Sequence, residues 1–204
     1  GNRIIPRIQF ILSILCSGLL VFASPLVLAQ QEELAAKSQR GKELMAAGRF
    51  EEAIPIYSDL VRALPNNPGL LMNLGMALHL AGRDRKAIPH FETVLKLQPD
   101  HVPARLFLGA AYLRSEEPAR AVEPLQRVVR AQPENRDARA MLADALLSLE
   151  RLEPAIEHFR VLSELDPESP KAWYGLGRSY EGLAHRAFEQ LEKLAPESAW
   201  WLVL

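Results

Sequence analysis

Between residues 68 and 100 the chain reads PGLLMNLGMALHLAGRDRKAIPHFETVLKLQPD. Apolar side chains recur there at intervals of three and four, the spacing of one face of a helix. Leu71, Leu74 and Leu78, with Met72 and Met76, form a first stripe; Ala87, Ile88, Phe91, Val94, Leu95 and Leu97 form a second. The polar stretch AGRD separates them, and Gly82 stands where a helix ends in the left-handed conformation. Pro99 closes the second stripe, because the residue before a proline is pushed out of helical geometry. The pattern predicts a helix, a tight turn and a second helix packed antiparallel to the first.

The same pattern returns at a fixed period of thirty-four. Ala53, Ala87, Ala121 and Ala155 keep that spacing, each followed by Ile54, Ile88, Val122 or Ile156. Four residues after each alanine comes Tyr57, Phe91, Leu125 or Phe159, and twelve after it Pro65, Pro99, Pro133 or Pro167. Leu74, Leu108 and Leu142 precede the last three alanines by thirteen, each followed by a small residue, Gly75, Gly109 or Ala143. A fixed period of this length is the mark of a solenoid. Pro55, Pro89, Pro124 and Pro154 are expected within about the first turn of the second helices, where a missing amide costs little.

The period slips once. In the segment WYGLGRSYEGLAHRAFEQLEKLAPESAWW the alanine due at 189 comes at Ala184, with Phe188 four later and Pro196 twelve later. The five missing residues are the turn. Nothing from 171 to 195 breaks a helix except Gly175, Gly177 and Gly182, at about 1 kcal/mol each. One continuous helix is therefore predicted from about 171 to 195, about 37 Å long at 1.5 Å per residue. The strongly apolar residues 197–204 then read as the first two turns of a further helix, cut short at Leu204, since a natural solenoid should close on a polar capping helix.

Residues 1–29 belong to another class. Arg3 and Arg7 precede an apolar run over 8–22, followed by Ser24, Pro25 and the small residues Val27 and Ala29. This is the pattern of a secretory signal peptide cut between Ala29 and Gln30. The other reading is an uncleaved anchor over 8–28, the chain's one expected route to a membrane. Bulky Leu15 argues against a lipoprotein box at Cys16. Cys16 is the single cysteine, so the mature chain would hold no disulfide or cysteine metal site and would suit an oxidising periplasmic or extracellular compartment. The remainder is 30–33, a short linker, four units at 34–67, 68–101, 102–135 and 136–169, and a shortened fifth at 170–196.

The motif residues resemble the tetratricopeptide repeat family, whose pattern is W-x₂-L-G-x₂-Y, then A-x₃-F, then P within one such period. Trp173, Leu176, Gly177 and Tyr180 match its first part in full; Arg105 and Arg139 replace the tryptophan, and Glu116 and Glu150 the turn glycine. The resemblance covers about residues 34–201 and implies an all-α fold, an α-α solenoid coiled as a right-handed superhelix. A pentatricopeptide RNA-binding reading fits worse, because such arrays are basic and this chain carries a net charge of −1.

The resemblance further implies that first helices line a concave groove. The residues it places there include Ser38, Gln39, Lys42 and Met45 in the first unit, then Met72, Asn73, Met76 and His79. Leu106, Phe107, Ala110 and Arg114 follow from the third unit, Met141 and Asp144 from the fourth, Tyr174 and Arg178 from the fifth. The groove is thus expected to be apolar in the middle and charged at its ends. Asn73 matches the asparagine that grips a peptide backbone in the family; Lys42 and Asn73 alone do not make the Lys/Asn ladder that captures a C-terminal carboxylate. Met72, Met76 and Phe107 have an alternative place in the core.

Composition removes other classes. Apolar residues make up 49% and charged residues 24%, a globular balance with no net field to recruit nucleic acid. The five histidines, His79, His90, His101, His158 and His185, have no metal-ligand spacing, and His90 and His158 are expected on the surface. GLGRSYEG sits inside the repeat motif and follows no strand, so it is no phosphate loop. No nucleophile or zinc motif occurs. The expectation is a non-enzymatic, exported scaffold that binds a protein or peptide, without cofactor, metal or nucleic acid; the alternative is the recruitment segment of a larger enzyme or envelope assembly factor.

Overall fold

The structure is a computed structural model that describes residues 25–195. The apolar run 8–22 and the expected further helix at 197–204 lie outside the described residues. Among those described, nine helices follow one another and no strand occurs: α1 (Pro25–Ala46), α2 (Phe50–Ala63), α3 (Pro68–Leu80), α4 (Asp84–Leu97), α5 (Val102–Arg114), α6 (Pro118–Ala131), α7 (Arg136–Ser148), α8 (Leu152–Leu165) and α9 (Pro170–Leu194). Each packs on the next, and first helices of successive units also touch: α3 with α5, α5 with α7, α7 with α9. This is an α-solenoid whose first helices share one side. Residues 30–33, expected as a linker, lie inside α1, as does the expected cut after Ala29.

The core is the repeated alanine and aromatic pattern made solid. Ala53, Ala87, Ala121 and Ala155 are wholly buried, and Tyr57, Phe91, Leu125 and Phe159 are at most 1% exposed. The latter side chains press on the small residue of the first helix. A Cβ built on Gly75 would stand 2.6 Å from Phe91, and one on Gly109 2.5 Å from Leu125, so a larger residue would force the two helices apart.

Polar groups keep the same period. Asn67, His101, Asn135 and Ser169 each precede a first helix and accept a hydrogen bond from the backbone amide three residues on, at 3.1, 3.0, 2.9 and 3.4 Å. Arg105 and Arg139 donate to the carbonyls of Pro99 and Pro133, and Trp173 Nε1 donates to Pro167 O at 2.8 Å. The arginines that replace the family's tryptophan therefore keep its donor function. Leu64, Gln98, Gln132 and Asp166, each before a proline, leave helical geometry with φ between −134° and −148°.

Two expectations change here. Pro55 and Pro89 are the sixth residues of α2 and α4, and Pro124 the seventh of α6, so they lie beyond the first turn; only Pro154, third in α8, falls within it. Pro55 and Pro89 sit on exposed faces, where the carbonyl four residues back can turn to water. His90 and His158 are half-buried rather than on the surface, and burial lowers the pKa of each; Arg139 beside His158 adds to that shift.

The turns between paired helices pass through positive φ at Gly48 (71°), Gly82 (77°), Glu116 (62°) and Glu150 (55°), again one repeat period apart. A side chain in that region costs on the order of 1 kcal/mol. Glu116→Gly is expected to stabilise the chain by about that amount, read as a raised urea midpoint with an unchanged m-value. A second expectation concerns acid. A histidine whose folded pKa lies below its unfolded value binds fewer protons in the native state, so stability is full above about pH 6.5 and falls as pH drops through that value. Melting curves from pH 7.5 to 5.0 should decline, and less steeply in His158→Gln.

Candidate partner-binding face

By exposure, the expected groove residues divide into three groups. Asn73, Leu106 and Ala110 are half-buried on α3 and α5, with Met76 beside them packed partly on the core. Lys42, Tyr174 and Arg178 are exposed, Tyr174 to 69%. Met72 and His79 are buried, at 7% and 8%. For those two the structure corrects the expectation: they hold neighbouring helices together and present almost no surface to a partner. Phe107, half-buried, belongs to the same packing; it stacks on Phe91 at 5.8 Å between centroids and meets the His79 ring edge-on at 5.5 Å.

His79 is held by a residue absent from the sequence reading. Asp84, the first residue of α4, is 7% exposed. Its Oδ1 accepts from Nδ1 of His79, and its Oδ2 faces Nε of Arg114 at 3.1 Å. Arg114 also donates through Nη1 to the His79 carbonyl at 3.1 Å. Both carboxylate oxygens are thus paired, which a buried acid requires. The cluster bolts the turn of the second unit to the end of α5. Arg114 is engaged within the chain, although half of its side chain still meets solvent. The signal available in the sequence was slight: one acid two residues after the turn glycine, the ordinary place for an N-terminal charge.

Charge at the far end is likewise paired. Asp144 meets Lys171 at 2.6 Å, joining α7 to α9, and Arg178 meets Glu181 at 2.6 Å. A cleft of about 720 Å³ opens there, with Leu147, Leu152, Tyr174, Arg178, His185 and Glu189 among its lining. A separate network joins α4, α5 and α6: Tyr112 donates to Glu92 at 2.6 Å, and Arg120 lies 4.3 Å over the Tyr112 ring. Burial, and then the Glu92 hydrogen bond, push the Tyr112 pKa up to about 12, so the phenol stays protonated. Among the described residues no group of three His, Cys, Asp or Glu is placed to hold a metal ion, and no helix is long and apolar enough to cross a membrane.

The geometry agrees with solved structures. A crystal structure of MamA superposes with a TM-score of 0.71 at 25% identity, covering 82% of this chain and 97% of that one. MamA from Desulfovibrio magneticus RS-1, residue 41 to its end, gives 0.68 at 27% identity over 81% of this chain and 97% of its own. YrrB, described as a TPR protein with an unusual peptide-binding site, gives 0.67 at 22% identity over 77% and 84%, a likeness of fold. No curated protein sequence matches. The tetratricopeptide repeat profile matches residues 38–102, 85–136, 108–170 and 141–183, a continuous span over more than half of the chain. The chain belongs to the tetratricopeptide repeat family.

Proposed function

We propose that this chain is an exported scaffold that binds a peptide or helix of a partner protein along its first helices. The observation that carries this reading is the band of Asn73, Met76, Leu106 and Ala110, with exposed Tyr174 further along the same side. These side chains remain at least partly open to solvent while the second-helix aromatics are shut in the core. An apolar band with one amide at its centre suits a ligand whose side chains anchor and whose backbone is held by Asn73. Lys42 and Arg178 would set its orientation at the two ends. YrrB, which shares the fold, is described by a peptide-binding site of its own. Members of such repeat arrays act by holding other proteins, and no catalytic role is proposed.

The experiment is binding by variants that fold. Met76→Glu and Ala110→Glu should each weaken capture of the partner from an envelope fraction about tenfold or more, while the helical circular dichroism spectrum stays. A partner retained by both variants removes the band from the binding surface, and outright unfolding of Met76→Glu places that residue in the core. Export rests on Arg3, Arg7, the apolar run and Ala29 in the sequence. Mass spectrometry of the secreted chain should give an N-terminus at Gln30; a chain still carrying 8–28 and held in the membrane is the anchored alternative.

A further inference from the structure

In three units a second-helix side chain seats on a first-helix glycine sixteen residues earlier: Tyr57 on Gly41, Phe91 on Gly75, Leu125 on Gly109. The fifth unit carries both halves of this contact and joins neither. Gly177 holds the glycine position, and among the described residues nothing lies within 4 Å of where its Cβ would stand. Phe188 holds the aromatic position and is 39% exposed, against at most 1% for its four counterparts. The lost turn leaves them eleven residues apart on one helix, separated by about 16 Å along its axis, so they cannot meet within one chain.

Eleven residues are slightly more than three helical turns, so Gly177 and Phe188 point within about 20° of one another. Trp173, Tyr180, Ala184 and Leu191 fall on the same stripe by that geometry. Trp173 is 56% and Tyr180 54% exposed. The buried residues Ala172, Gly175, Leu176 and Ser179 lie on another face, turned to the preceding helices. The stripe therefore faces away from the body of the chain along most of α9.

We infer that α9 pairs antiparallel with α9 of a second copy, about a two-fold axis beside the stripe midway along the helix between Gly177 and Phe188, so that each Phe188 seats on the other copy's Gly177. Knob and hole lie on one stripe in one helix. A second copy running the other way meets each with its complement, and the axis that makes one contact makes both. The same register sets Trp173 beside the other copy's Leu191 and brings Arg178 alongside its Glu189. Small residues at 177 and 184 let the axes approach closely. Each first-helix half thus receives the second-helix half that its own chain cannot fold back, a swapped repeat. Of the residues on the proposed binding face the pairing involves Arg178 and none of Asn73, Met76 and Ala110, so Met76→Glu and Ala110→Glu test partner binding apart from it.

The purified full chain should be dimeric by light scattering at about 100 µM, well above a micromolar dissociation constant. A Cβ at position 177 meets no described atom within 4 Å, and leucine favours helix, yet Gly177→Leu fills the hole; the dissociation constant should rise at least about tenfold. Inserting a copy of residues 82–86, GRDRK, between Leu183 and Ala184 restores the sixteen-residue spacing and should give a monomer. Gly177→Cys with Phe188→Cys, in a Cys16→Ser background, should oxidise to a chain-to-chain disulfide between positions 177 and 188. A chain that stays monomeric, a dimer indifferent to Gly177→Leu or to the insertion, or the absence of the 177–188 cross-link overturns the pairing.

Discussion

One contact sets the geometry of the array: a large second-helix side chain pressed against a first-helix residue with almost no side chain. The glycines at 41, 75 and 109 let the paired helices approach until Tyr57, Phe91 and Leu125 lie against backbone. The same side chains reach onward. Phe91 stacks on Phe107 of the next unit, and a Cβ on Gly175 would stand 2.3 Å from Phe159. Phe91 therefore closes its own pair and supports its successor. Stability in such an array is a sum of unit and neighbour terms, and one side chain contributes to both. Filling a hole or truncating a knob would damage two interfaces together.

That contact was legible in the sequence because it needs residue types that stand out at a fixed spacing. The alanines, the aromatics and the closing prolines each have one acceptable size or backbone effect, so the period survives in plain letters. The polar ties were less legible, since several residue types do the same work. Asn67, His101, Asn135 and Ser169 share no property except an acceptor within reach of the third amide. Arg105, Arg139 and Trp173 look unrelated until each is seen donating to a proline carbonyl. Glu116 and Glu150 conceal the turn in the sequence, although their positive φ matches that of Gly48 and Gly82.

The candidate face was read less well for a physical reason. In the proposed binding mode, first helices meet a partner on the side where they also meet each other, so one position in the unit can serve either purpose. Met72 and His79 hold positions that the family resemblance assigns to the groove, but local packing takes them into the core. Tyr174, at the same unit position as Met72, is left 69% exposed. What decides is the neighbour: α3 has helices on both sides, whereas α9 has described helices on one. Asp84 escaped notice because its importance comes from His79 and Arg114, five and thirty residues away, which meet only in the folded chain.

The slip in the fifth unit separates motif from fold. Ala184, Phe188 and Pro196 keep the second-helix spacing, yet residues 170–194 form one helix. A motif prescribes which face of a helix is apolar; a turn decides where that face is delivered. Without the five turn residues, local propensity wins, because the three glycines cost a few kcal/mol in total and the helix gains neighbours on its buried side. Arg186 reinforces this by donating at 2.6 Å to the carbonyl of Glu150, the positive-φ residue of the preceding turn. The extension is thus tied to the last regular turn of the array, with its second-helix face intact in sequence and turned away from the core of the described residues.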